Sequence, residues 1–114
     1  MSCIVINESG GVKVFNINLI KADDKEAVEF KKLLLQSIDN NVINRIVIDL
    51  SIVQRIDVMF LGVLITGHKL IKMSAGGSIK IAGLQPLVHE MFELTRLNQA
   101  FDIYIDAQQA IKSF

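Results

Sequence analysis

The sequence predicts an α/β fold: a mixed central β-sheet that opens with an N-terminal hairpin and is covered by about four α-helices. Three observations carry this expectation. Two short alternating runs flank the Gly10-Gly11 pair, a turn signal. Beyond them, short β-branched runs alternate with stretches of helical spacing, the pattern of strands joined by covering helices. The chain has 114 residues, 51% of them hydrophobic, which suits one core and a single domain over residues 1–114.

The elements follow in order. Cys3 to Asn7 and Val12 to Leu19 read as the hairpin strands. Lys21 to Asp24 breaks the alternation, and Asp23 or Asp24 is placed to cap a helix over Lys25 to Ile38. In that helix Ala27, Phe30, Leu34 and Ile38 share a stripe. Arg45 to Leu50 reads as a central strand. After a connection over Ser51 to Asp57, Asp57 stands at the N-cap of a second helix, Val58 to Ser74, which Gly76-Gly77 stops. Ser78 to Ala82 is a strand, and Pro86 opens a third helix running through Leu97. Phe101 to Ile105 is a last strand, and Asp106 caps a terminal helix over Ala107 to Phe114. The order is β-β-α-β-α-β-α-β-α, and right-handed crossovers keep the later strands parallel.

Composition excludes several functions. Twelve basic residues balance twelve acidic ones, so there is no field for nucleic acid. Cys3 is the only cysteine; it makes no internal disulfide and no CxxC zinc site. The start of the chain, Met1 to Asn7, lacks the basic and apolar regions of a signal peptide. The longest apolar run, Val58 to Ile65, is too short for membrane insertion, which needs about twenty residues. A cytoplasmic protein is expected.

Catalytic and cofactor chemistry finds little support. The two Gly pairs read as turns, not as a phosphate cradle. His89-Glu90 has no second histidine four residues on, so a zinc-protease motif is missing. His68 lies on one stripe with Leu61, Leu64, Ile65 and Ile71, which suits a partly buried, hydrogen-bonded side chain better than a ligand. Asp49 reads as a turn former and Asp57 as a cap. No cofactor, metal site or catalytic residue is expected.

The odd feature is the start of the second helix. With Leu61, Leu64, Ile65, His68 and Ile71 on the core face, a different stripe carries Val58, Gly62, Thr66, Lys69 and Met73. Met59 and Phe60 then fall at the exposed entrance of the helix. Its first two turns are apolar nearly all round, although only one side can face the sheet. Either neighbouring helices cover the rest or the surplus is a partner-docking patch. In the second case Val58, Met59, Gly62, Thr66 and Lys69, with Asp57 and the loop at Asp23, form one face.

Here the sequence resembles the STAS family of anti-sigma-factor antagonists. Ile46-Val47-Ile48-Asp49-Leu50-Ser51 is similar to the family's central strand. Ile56-Asp57 followed by Leu61-Gly62-Val63-Leu64 is similar to its strand-to-helix signature. Gly76-Gly77 with Ile79-Lys80-Ile81 matches the next turn and strand. Phe92-Glu93-Leu94-Thr95-Arg96-Leu97, then Phe101, is similar to the family's ELTGL…F segment. The resemblance implies a STAS-like fold and a regulatory binding role. In the family, Asp-Ser-Ser-Gly opens the second helix, and a serine kinase that is also an anti-sigma factor phosphorylates one of those serines. Phosphate adds about −1.5 to −2 charge there and releases the partner. This chain reads Asp57-Val58-Met59-Phe60 instead. Val58 holds the place of the phosphorylated serine and has no hydroxyl, so no phosphorylation is expected at Val58. The family's Gly-x-Leu-Asp appears as Ile20-Lys21-Ala22-Asp23, keeping only the aspartate. Two partner classes follow from the resemblance: a serine-kinase-type anti-sigma factor, or the ATPase of an ABC-type lipid transporter that the domain braces.

Overall fold

The computed structural model describes residues 3–114; Met1 and Ser2, part of the stretch read for a signal peptide, lie outside the described residues. Strand β1 (Ile4–Ser9) turns through Gly10-Gly11 into β2 (Val12–Ile17), and the two pair antiparallel. β4 (Asn44–Asp49), β6 (Gly77–Ala82) and β7 (Ile103–Tyr104) then add in parallel, giving a five-stranded mixed sheet in the order β1-β2-β4-β6-β7. The helices are α1 (Asp24–Ser37), α2 (Val58–Lys72), α3 (Pro86–Leu94), α4 (Leu97–Ala100) and α5 (Ala107–Lys112).

Two differences from the sequence expectation matter. The first concerns Lys21 to Asp24 and the connection at Ser51 to Asp57. They contain two-residue strands, β3 (Lys21–Ala22) and β5 (Arg55–Ile56), which pair parallel with each other outside the main sheet. Such short strands have no periodicity to detect; only their tertiary pairing defines them. The second is that the third helix does not run through Leu97. Arg96 adopts φ 61°, in the left-handed region, and splits it into α3 and α4, so the described residues form five helices. The last strand is also shorter, and α5 ends at Lys112.

The main core lies on one face of the sheet. Phe15, Ile17, Ile46, Ile48, Ile79 and Ile81 project from the strands onto Phe30 and Leu34 of α1, Phe60 and Leu64 of α2, and Val88 and Phe92 of α3. The opposite face carries Val12, Val14, Val47 and Ala82 under Ala110 of α5. Lys80 is buried on that face. Its Nζ donates to Ser113 Oγ at 2.7 Å and lies 4.2 Å from the Phe114 ring centre, so a hydroxyl and an aromatic face replace water around the cation.

Candidate functional site

The site is built by two caps placed side by side. Asp23 caps α1, its carboxylate accepting from Glu26 N at 3.1 Å. Asp57 caps α2, accepting from Met59 N at 2.8 Å. The parallel pair β3–β5 sets Ala22 opposite Ile56, and Asp57 N donates to Ala22 O at 2.8 Å. Each aspartate follows directly on its strand, so the two helices start together and run in the same direction.

Between them lies an open groove of about 400 Å³. From α2 it is lined by Val58, Met59, Gly62, Val63 and Thr66, and from α1 by Asp24, Ala27, Val28 and Lys31. Val58 and Met59 are each 61% exposed and Val28 is 74% exposed, so the apolar rim faces outward. Val63 and Ala27 are buried and form its floor. A Cβ added to Gly62 would meet nothing within 4 Å, which leaves a dimple open to solvent. Thr66 Oγ1 donates back to Gly62 O at 3.1 Å, so its hydroxyl is engaged by its own helix.

Of the residues expected to form the docking face, the structure brings Val58, Met59, Gly62 and Thr66 to the groove and places Asp23 and Asp57 at its head. Lys69 is exposed about one turn further along α2 and does not line it. Sequence reasoning missed the α1 wall, above all Val28. An apolar residue off the Ala27–Phe30–Leu34 stripe was the available signal.

Three expectations about α2 are corrected. Phe60 is not at an exposed entrance: it is fully buried and stacks on Phe30 with ring centres 4.5 Å apart. Ile65 is not a core residue but is 37% exposed. The buried stripe is Phe60, Val63, Leu64, Gly67 and Ile71, with Leu61 beside it. His68 is partly buried, as expected, but its Nδ1 is shut away from solvent with no hydrogen-bond partner, and its ring packs edge-on against Phe101. Burial, reinforced by the positive charge of Lys72, holds its pKa below the ordinary value of 6.5. Asp49 accepts from Ser51 N at 3.0 Å, a turn contact. Among the described residues no cluster of three or more His, Cys, Asp or Glu could hold a metal ion, and no helix is long and apolar enough to cross a membrane.

The family model for the STAS domain matches residues 3–110. The chain belongs to the STAS domain family. A protein from Thermotoga maritima described as an anti-sigma-factor antagonist is 25% identical, with a TM-score of 0.84 over 96% of this chain and 92% of its own. An anti-sigma-factor antagonist (STAS) domain protein from Planctomyces limnophilus shares 20% identity, with a TM-score of 0.89 over 99% of this chain and 98% of its own. The anti-sigma-factor antagonist SpoIIAA in its unphosphorylated form matches at 13% identity, with a TM-score of 0.70 over 96% of this chain and 94% of its own. No curated protein matches the sequence.

Proposed function

We propose that this STAS domain is a non-catalytic protein-binding module in a partner-switching system. It would act like an anti-sigma-factor antagonist, but without control by phosphate at the start of α2. The observation that supports this most directly is the exposed Val58–Met59 pair at the head of the α1–α2 groove. A groove with an apolar rim and no hydroxyl at the phosphorylated position of the family is competent to bind whether or not a kinase has acted. Met59 is the adaptable anchor, Val58 the apolar centre and Gly62 the point of close approach. Asp57 sets the helix start. Lys69, further along, tunes association rate more than affinity. The partner class is a serine-kinase-type anti-sigma factor.

The test is a titration against such a kinase with and without ATP, combined with mass spectrometry of the STAS chain. Binding is expected to be the same in both conditions, with no phosphate on the chain. Met59→Asp is expected to weaken binding by on the order of 2 kcal/mol, about 30-fold, with an unchanged melting temperature. Stoichiometric phosphate at Ser51 or Thr66, with loss of binding, would refute the phosphate-independent reading. Full-strength binding by Met59→Asp would move the docking face elsewhere.

A further inference from the structure

Helix α3 is apolar on two sides. Val88 and Phe92 are fully buried in the main core. Leu87, Met91 and Leu94, spaced by four and three residues, form a second stripe on which Leu87 is 51% and Leu94 is 74% exposed. With Arg55 and Ile56 of β5 and Glu90 of α3, this stripe lines a groove of about 360 Å³. Further apolar surface adjoins it. Ile20, 57% exposed, has its carbonyl bonded to Arg55 N, and the turn carrying Ile52 is tied to the head of α3 by Gln85 Nε2 donating to Ser51 O at 2.7 Å. No residue lines both this groove and the α1–α2 groove.

The two walls of this second groove carry opposite charges, Arg55 on β5 and Glu90 on α3. Among the described residues, neither side chain has an ion-pair or hydrogen-bond partner. In a two-fold pairing, residue i of one copy meets residue j of the other, and j meets i. A groove with a single sign of charge would repel its own copy; one cation and one anion on facing walls match a second copy twice over. We propose that this groove is a self-association surface. Two copies related by a two-fold axis lay the Leu87–Met91–Leu94 ridge of each into the groove of the other, with Arg55 facing Glu90 in both contacts. None of the residues lining this groove lines the α1–α2 groove, so variants here test self-association separately from the docking role.

Sedimentation velocity over a dilution series tests this. The wild-type chain is expected to pass from one-chain to two-chain mass, with a Kd on the order of 10 μM. Arg55→Glu and Glu90→Arg, both at exposed positions, should each weaken association at least tenfold, on the order of 1.4 kcal/mol, with unchanged melting temperatures. An equimolar mixture of the two variants should associate again, because one chain then carries two acids and the other two bases at the facing positions. Leu94→Asp should remain a single chain. A wild-type chain still monomeric at roughly 100 μM would overturn the proposal. So would single variants or Leu94→Asp that pair like the wild type, or a mixture that stays apart.

Discussion

Met59 and Phe60 are consecutive residues in the first turn of α2, and they meet opposite environments. Met59 is 61% exposed on the groove rim, while Phe60 has no exposed surface and stacks on Phe30. Gly62 and Gly67 repeat the contrast further along the helix. A Cβ at Gly62 meets open space, but one at Gly67 would come within 2.6 Å of Leu34 Cδ2 and 3.1 Å of Ile79 Cδ1. One side of α2 is therefore fixed by the fold, with the Leu34 side chain of α1 packed close over the bare backbone of Gly67. The other side carries the exposed Val58 and Met59 and open space at Gly62, so it meets no packing constraint at those positions. Hydrophobicity does not separate the two sides, since both are apolar; packing against α1 and the sheet does.

The largest effect expected from that division is at Phe60. Phe60→Ala should destabilise the chain by about 3–5 kcal/mol, read from urea unfolding, because it empties a buried ring site against Phe30. Met59→Asp on the neighbouring residue should leave the unfolding midpoint unchanged. Equal losses at the two positions would erase the contrast.

The glycines give the next effect. Gly67→Val should cost about 1–3 kcal/mol through overpacking against Leu34 and Ile79. Gly62→Val should change stability by less than about 0.5 kcal/mol and act instead on partner binding, measured by titration, by filling the dimple. A Gly62→Val chain that unfolds as readily as Gly67→Val would show that α2 has no free side.

Much of this arrangement was legible in the sequence. The hairpin, the central strand, the Asp57 and Asp106 caps and the parallel order were readable, and the α1 cap was narrowed to Asp23 or Asp24, because glycine turns, β-branched runs and side-chain caps are local chemistry. The rotation of α2 was not. The sequence stripe through Leu61, Leu64, Ile65 and His68 looks as apolar as the true one, which passes through Gly67, a residue with no hydrophobic signal of its own. The α1 wall of the groove was hidden because a groove belongs to two helices, and its pairing depends on β3 and β5, which are two residues each. The break at Arg96 was obscured for a different reason. Where the resemblance to the ELTGL segment puts glycine, this chain has an arginine, and Arg96 adopts left-handed backbone at φ 61°. Left-handed geometry costs a side-chain-bearing residue about 1–2 kcal/mol. Glycine returns part of that through its freer unfolded chain. Arg96→Gly should therefore stabilise the chain by up to about 1 kcal/mol in denaturant unfolding, and no gain would mean that the exposed arginine is held there without strain.

The smallest effect concerns His68, which sits between the two sides of α2. Its Nδ1 is buried without a partner, its ring packs on Phe101, and its pKa is lowered, first by burial and then by Lys72. The folded chain thus resists protonation that the unfolded chain accepts near its ordinary value of 6.5. Where the unfolded state binds more protons, stability rises with pH. The contribution of neutral His68 is fully present above that ordinary value. It is lost as pH falls from there through the depressed folded value. Below the folded value both states are protonated and the loss levels off. The wild-type melting temperature should accordingly drop as pH falls from about 6.5 toward the depressed folded value. His68→Phe, which keeps an aromatic ring beside Phe101 but cannot take a proton, should flatten that part of the profile. An identical drop in His68→Phe would assign the pH dependence to another group and leave the unpartnered Nδ1 without a measurable consequence.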